Sequence, residues 1–154
     1  MSTRFWTLFG IIIVAVVAII ALSGNTTPKN NESMEEILNN TVLVNLATQN
    51  NSGETGTAAI VEENGKIKVL VNISGSPEND QPMHIHEGTC ESLGPIKWEL
   101  NPIKNDASET MLPISKEEIK TNLPLAINVH KSQSELKEYV ACGNISSDMF
   151  MMEN

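Results

Sequence analysis

The segment that most restricts the fold is NGKIKVLVNIS, residues 64–74. Four of its apolar residues alternate with mostly polar ones along an extended chain: Ile67, Val69, Val71 and Ile73. Because alternate side chains of a β-strand point to opposite faces, this pattern predicts a strand with one buried face. The Asn64-Gly65 pair before it favours a two-residue hairpin turn.

Other short segments from residue 41 onward are also typical of strands. They are TVLVNLAT, TGTAAIVEE, the segment around MHIHEG, IKWELNPI, SETMLPI, LPLAINVHK and YVACGNI. One brief helix is predicted at SKEEIKTN, because Ser115 stands three residues before Glu118 and can cap it. Seven or eight short strands without a long helix predict an all-β fold, either an antiparallel sandwich or a barrel.

An apolar run without any charge extends from Phe5 to Leu22 and follows Arg4. As a helix it is long enough to span most of a bilayer's hydrocarbon core. The positive charge of Arg4 favours a cytoplasmic N-terminus. We therefore expect residues 1–23 to form a single-pass membrane anchor, with the rest of the chain outside the cytoplasm. The alternative is a cleaved signal peptide ending near Ala21-Leu22-Ser23, which would release a secreted protein.

Three further regions follow the expected anchor. Residues 24–40 are polar and rich in Asn, which is typical of a stalk. Residues 41–147 form the predicted β domain, and residues 148–154 are a short tail with Met149, Met151 and Met152. Thioethers are suitable ligands for Cu(I), so the tail is a candidate copper donor. A tail that is flexible or packs on the domain is the simpler interpretation.

The chain is acidic, with nineteen Asp and Glu residues against ten Lys and Arg residues and a net charge of −9. Nucleic-acid binding needs a basic surface, so we expect no nucleic-acid partner.

The two cysteines, Cys90 and Cys142, form the only pair that the sequence offers. In an oxidising compartment the simplest outcome is one disulfide between them. Metal ligation by thiolates is the alternative, although no CxxC motif supports it.

The three histidines are candidate metal ligands. His84 and His86 share one strand face, while Asn128 and His130 share a face of a later strand. Three neutral imidazoles can bind copper or zinc and leave a coordination position open. Glu87 and Asn128 are candidates for supporting these ligands by hydrogen bonds. Ordinary surface or hydrogen-bonded histidines remain the alternative at this stage, because spacing alone does not bring His130 to the other two.

The segments HIHEG, Cys90, Gly94-Pro95, NVHK and YVACGNI, in this order, resemble the copper,zinc superoxide dismutase family. They are equally similar to its relatives, the chordin-type (CHRD) domains of exported proteins. The resemblance covers roughly residues 41–146 and implies a Greek-key β-sandwich or flattened barrel. It also implies that His84, His86 and His130 bind copper and that a disulfide joins the two cysteines.

The sequence departs from the dismutase pattern at two places. No histidine lies between His86 and His130, so the family's zinc site cannot be built. The family's guiding arginine, three residues before the final cysteine, is replaced by Tyr139, with Lys131 or Lys137 as substitutes for its charge. No catalytic residue is assigned. We therefore expect a copper-binding domain without efficient dismutase activity. The alternatives are a copper-only superoxide dismutase and a metal-free structural or interaction module of chordin type.

Overall fold

The computed structural model describes residues 40–76 and 80–150. The expected anchor at residues 5–22, nearly all of the stalk and the end of the Met-rich tail lie outside the described residues. Within these two ranges, no helix is long and apolar enough to cross a membrane.

The described residues form one antiparallel sheet of eight strands, which confirms the all-β prediction. The strands are β1 (Thr41–Thr48), β2 (Thr55–Glu63), β3 (Lys66–Ser74), β4 (Gln81–Thr89), β5 (Ser92–Ile103), β6 (Ala107–Leu112), β7 (Leu125–His130) and β8 (Tyr139–Ile145). Their order in the sheet is β5-β4-β7-β8-β1-β2-β3-β6. A short helix, α1 (Lys116–Thr121), connects β6 to β7, and a 3₁₀ helix (Ser147–Phe150) follows β8.

The two end strands of this sheet, β5 and β6, approach each other and nearly close it into a barrel. The Asn101 backbone N–H donates to Thr110 Oγ1 at 2.8 Å, and Ser108 Oγ donates to the Asn101 carbonyl oxygen at 2.7 Å. A single bridge between Lys104 and Ala107 joins the same two strands beside their connecting turn. Along this seam between β5 and β6, hydrogen bonds that involve side chains therefore replace many of the backbone hydrogen bonds of a regular ladder.

The hairpin expected at Asn64-Gly65 is present between β2 and β3. Both residues have positive φ angles, 53° and 70°, and Glu63 pairs with Lys66 across the turn. This is the left-handed backbone that Asn-Gly favours. The four alternating apolar residues of β3 are buried, but Leu70 on the opposite face is buried as well. The outer face of β3 is therefore more buried than the alternation predicts.

The barrel interior is lined by the apolar residues of alternating strand positions. On β4 these are Met83 and Ile85, and on β7 they are Ile127 and Val129, all fully or almost fully buried. Because side chains alternate along a strand, the residues between them project from the outside of the barrel. This alternation places His84 on the outer face of β4.

Both short helices pack onto the barrel core. Helix α1 begins as predicted, with Ser115 Oγ accepting a hydrogen bond from the Glu118 backbone N–H at 3.2 Å. Its Ile119 side chain belongs to the core cluster. Phe150 of the 3₁₀ helix is buried, and Met149 packs against the same cluster. The first residues of the Met-rich tail thus belong to the domain.

The predicted disulfide between Cys90 and Cys142 is formed, with a sequence separation of 52 residues. It joins the turn after β4 to the middle of β8. The Cys90 backbone N–H also donates to Asn144 Oδ1 at 2.7 Å, which holds the same turn against β8. Both sulfurs are used in the bridge, so neither is a thiolate ligand.

Replacing both cysteines, Cys90→Ser with Cys142→Ser, should lower the free energy of unfolding by about 4 kcal/mol, the loop-closure value for a crosslink of this length. Urea unfolding followed by circular dichroism measures this difference. The reduced wild-type protein is the control and should lose a similar amount. An unfolding free energy equal to that of the oxidised protein would contradict the stabilising role of the bridge.

Candidate metal centre

The antiparallel pairing of β4 with β7 brings the three histidines together. His84 pairs with Asn128 and His86 pairs with Ala126. His130, two residues beyond Asn128, therefore lies beside His84, and their ring centroids are 4.7 Å apart. One ring nitrogen from each histidine lies within 4.8 Å of one from each of the others. The three histidines that the sequence offered as candidate ligands are thus close together, which their spacing alone left open.

All three imidazoles are shielded from water although they lie on the outer side of the sheet. The exposed fractions are 8% for His84, 7% for His86 and 4% for His130. Burial removes the hydrogen bonds that water would supply to the ring nitrogens, so each nitrogen needs a partner within the site.

Two of the rings are held by backbone carbonyl groups. His130 Nδ1 lies 2.5 Å from the Leu136 carbonyl oxygen, in the loop between β7 and β8. His86 Nδ1 lies 2.9 Å from the Gly94 carbonyl oxygen of β5. Because a carbonyl oxygen can only accept, both Nδ1 atoms carry the hydrogen and donate it.

The Gly94 carbonyl reaches His86 because the β4–β5 ladder is irregular there. The pairing register shifts between Ile85 and His86 and again between His86 and Gly88. Gly88 has a φ of +90°, and a Cβ atom at this position would lie 2.4 Å from the Ser92 carbonyl oxygen. A β-bulge at a glycine re-aims the neighbouring strand, and here it turns a carbonyl toward a candidate ligand.

His84 makes a different pair of contacts. Its Nε2 atom lies 2.9 Å from a carboxylate oxygen of Glu99 on β5. Its Nδ1 atom points into the cluster and lies 2.8 Å from His130 Nε2.

Two buried side-chain atoms lack a hydrogen-bond partner in the described part of the chain, and both belong to this cluster. They are His86 Nε2 and Asn128 Oδ1. Buried polar atoms in native proteins are nearly always paired, so an unpaired one calls for an explanation such as an ion. The geometry thus leaves a place for a cationic ligand beside His86.

The two residues expected to support the histidines differ in their surroundings. Asn128 is fully buried, and its Nδ2 atom lies 3.5 Å from His130 Nε2. The Glu87 carboxylate instead contacts the Lys97 ammonium group at 3.3 Å. The carboxylate that reaches a histidine is Glu99, which the sequence analysis missed. Only the β4–β5 register, which pairs His84 with Glu99, could have identified it.

Two residues near the site bear on the absence of a guiding arginine: Tyr139, which stands where the resemblance would place the arginine, and Lys131, a candidate substitute for its charge. Tyr139 packs edge-on against the His130 ring, with 5.3 Å between the ring centroids. The Lys131 ammonium group contacts the carboxylates of Glu135 at 3.0 Å and Glu138 at 3.4 Å. Hydrogen bonds to these two carboxylates, first to Glu135, raise the pKa of Lys131. Its charge is therefore locally compensated.

Burial lowers the pKa of two of the clustered histidines below the ordinary 6.5. For His84, desolvation lowers the pKa and outweighs the nearby Glu99 carboxylate, which raises it. For His130, desolvation again lowers the pKa more than the Leu136 carbonyl raises it. Both imidazoles are consequently neutral at pH 7, the state in which a ring nitrogen can bind a metal ion.

Because these two pKa values are lowered on folding, the unfolded chain takes up protons at a higher pH than the folded domain. Without metal, the free energy of unfolding should therefore fall as the pH drops from about 7.5 to about 5, a range above most carboxylate titrations. Urea unfolding at both pH values tests this. The His130→Gln variant should show a smaller difference between them. A difference as large as that of the wild type would contradict the assignment to the buried histidines.

The described domain thus combines an eight-stranded antiparallel barrel, a disulfide and three buried histidines whose nitrogens converge. No protein-family model, curated protein or solved structure matches the chain.

Proposed function

We propose that this protein binds a single copper ion through three imidazole nitrogens: His84 Nδ1, His86 Nε2 and His130 Nε2. The observation that carries the proposal is the buried His86 Nε2 atom, which has no hydrogen-bond partner in the described residues and belongs to a ring clustered with the other two histidines.

The hydrogen bonds of the rings support this ligand set. His86 and His130 both donate through Nδ1 to carbonyl oxygens. In a neutral imidazole the other nitrogen then has a lone pair, so Nε2 of both rings is ready to bind a metal. Nitrogens that share one ion at about 2 Å each lie no more than about 4 Å apart. The separations within 4.8 Å therefore require only small ring movements.

The short distance between His84 and His130 also supports a metal ion shared by the three rings. His84 Nδ1 and His130 Nε2 lie 2.8 Å apart, and the Leu136 carbonyl already takes the Nδ1 hydrogen of His130. Two lone pairs at this distance repel each other unless a cation or a proton attracts both. A metal ion placed between these nitrogens and His86 would satisfy all three.

The donor set favours copper. Imidazole nitrogens bind both Cu(II) and Zn(II), but the affinity of a given site for copper is the greater. The family resemblance of the HIHEG and NVHK segments also implies copper. With three histidines in the whole sequence, a second histidine site for zinc has no ligands left.

The family and the cellular location belong to the same proposal. Strands β4, β5 and β6 lie side by side, with β6 meeting β5 at the seam, and β7 returns through α1 to lie beside β4, in the order β6-β5-β4-β7. This arrangement is typical of a Greek key and supports a superoxide dismutase-like fold. The disulfide is typical of an oxidising compartment. From the disulfide together with the uncharged apolar run from Phe5 to Leu22, we infer that residues 1–23 tether the domain to the membrane, with the domain on the extracytoplasmic side.

We further infer that efficient superoxide dismutation is absent. A fast reaction needs a positive path that draws the anion to the metal. Tyr139 packs on His130 where the family has arginine, and Lys131 is paired with two carboxylates. The net charge of −9 repels an anion further.

Copper should bind with about one equivalent per chain, and replacing any one histidine by Gln should weaken binding sharply, since two imidazoles remain. Titration of the purified domain followed by electron paramagnetic resonance measures both quantities. Tyr139→Phe is the matched control, because it alters a side chain beside His130 without removing a ligand. Full binding by the His130→Gln variant would contradict the three-histidine site, and absence of copper binding by the wild type would favour a metal-free module.

The copper-loaded protein should show little or no superoxide dismutation, far below the diffusion limit near 10⁹ M⁻¹s⁻¹, because the electrostatic guidance that raises association rates about 10- to 1,000-fold is missing. Stopped-flow decay of superoxide, after unbound copper is removed by gel filtration, tests this. The apoprotein is the control. A rate near the limit would instead support a copper-only dismutase.

A further inference from the structure

Glu99 is a charged side chain in direct contact with a candidate ligand, with its Oε2 atom 2.9 Å from His84 Nε2. It reaches the ring from β5, an end strand of the sheet, where the ladder pairs His84 directly with Glu99. The other two histidines are oriented by backbone carbonyls of Gly94 and Leu136. Of the three ligands, His84 alone has its outer nitrogen held by a side chain.

The direction of this contact determines which His84 nitrogen faces the cluster with a lone pair. An ionised carboxylate has acceptors only, so the hydrogen of a neutral His84 ring lies on Nε2. The remaining nitrogen, Nδ1, lies 2.8 Å from His130 Nε2 and points at the common site. With the opposite tautomer, a hydrogen on Nδ1 would occupy the space of the metal and Nε2 would offer no donor to Glu99.

The exposure of Glu99 separates this orienting effect from a general effect of charge. Its side chain is 73% exposed, while that of His84 is 10% exposed. The charge of an exposed carboxylate is screened by water and salt, so its distant attraction for a cation is small. The main effect of Glu99 on the site is therefore its directional hydrogen bond to the shielded His84 ring.

We propose that Glu99 is the positioning residue of the site, holding His84 in the orientation and tautomer that bind metal through Nδ1. This inference rests on the proposed metal site. Glu99 itself does not bind the ion, because its carboxylate lies on the far side of the His84 ring from the cluster. Partners of this kind contribute about 10- to 100-fold to metal affinity.

The chain supplies a matched control in Glu87. Its carboxylate has the same charge and lies on the neighbouring strand, but it contacts Lys97 instead of a histidine. Replacing either glutamate by Leu changes the net charge equally. Only Glu99→Leu removes a hydrogen-bond acceptor from a candidate ligand.

The first experiment uses the metal-free protein at about pH 8, where imidazoles are neutral. Long-range ¹H–¹⁵N spectra distinguish protonated from unprotonated ring nitrogens. Without metal the lone pairs of His84 Nδ1 and His130 Nε2 face each other, so we expect the two rings to move slightly apart while Glu99 keeps His84 of the wild type protonated on Nε2. In Glu99→Leu the hydrogen should shift toward Nδ1, from which it can be donated to His130 Nε2. Glu87→Leu should match the wild type. A wild-type His84 protonated on Nδ1 would overturn the inference, whatever the protein does with copper.

The second experiment measures copper affinity of the same variants by competition with a chelator of known strength. Glu99→Leu should bind about 10- to 100-fold more weakly. Glu99→Gln, whose amide oxygen still accepts a hydrogen bond, should recover much of the loss. An equal loss in Glu87→Leu, or none in Glu99→Leu, would overturn the positioning role. Absence of copper binding by the wild type would overturn the proposed function instead, and the spectra would still test the tautomer.

Discussion

The antiparallel pairing of β4 with β7 is the interaction on which both the core and the histidine cluster depend. It places Met83 opposite Val129 and Ile85 opposite Ile127, all four inside the barrel. Full burial of each such side chain contributes about 1.5–3 kcal/mol. A slip of one residue would turn these four outward and lose roughly 6–12 kcal/mol. The hydrophobic pattern therefore enforces the register that places His130 beside His84.

Burial of three imidazoles has a cost that the rest of the fold must offset. Each ring has one nitrogen satisfied, by Gly94, Leu136 or Glu99. Of the inner nitrogens, His86 Nε2 has no hydrogen-bond partner among the described residues, and leaving a buried polar atom unpaired costs about 1–3 kcal/mol. The gain from the β4–β7 core exceeds this cost, so the domain can fold around an incompletely satisfied cluster. Those same inner nitrogens are the groups that a metal ion would satisfy.

A site that binds a cation needs negative charge around it, whereas a site that attracts an anion needs positive charge. The charges of this chain favour the cation. The acidic net charge of −9 favours a positive ion over an anion. Lys131, which follows His130 in the sequence, closes the loop between β7 and β8 by pairing with Glu135 and Glu138. The loop in turn presents the Leu136 carbonyl to His130. We therefore interpret Lys131 as a structural residue of the loop, and the site as better suited to holding copper than to fast anion chemistry.

Local rules of the chain were enough to predict much of this architecture. Alternation along KIKVLVNIS, the Asn64-Gly65 turn and the Ser115 cap each depend on neighbouring residues, and each is present as expected. The single cysteine pair likewise predicted the disulfide. Spacing also placed His84 and His86 on one face, because the two-residue period of a strand is a local property.

The contacts that make the three histidines a candidate site were decided by the tertiary structure. Glu99 and Gly94 meet the rings only because β5 pairs with β4 in a register that shifts at three places, which the sequence does not encode in any local pattern. The loop that carries Leu136 is likewise set by its fold against β7. The sequence by itself determined which residues alternate, turn and cap, since those preferences act between near neighbours. Only long-range strand pairing decided which nitrogen of each ring is held and which is left to bind.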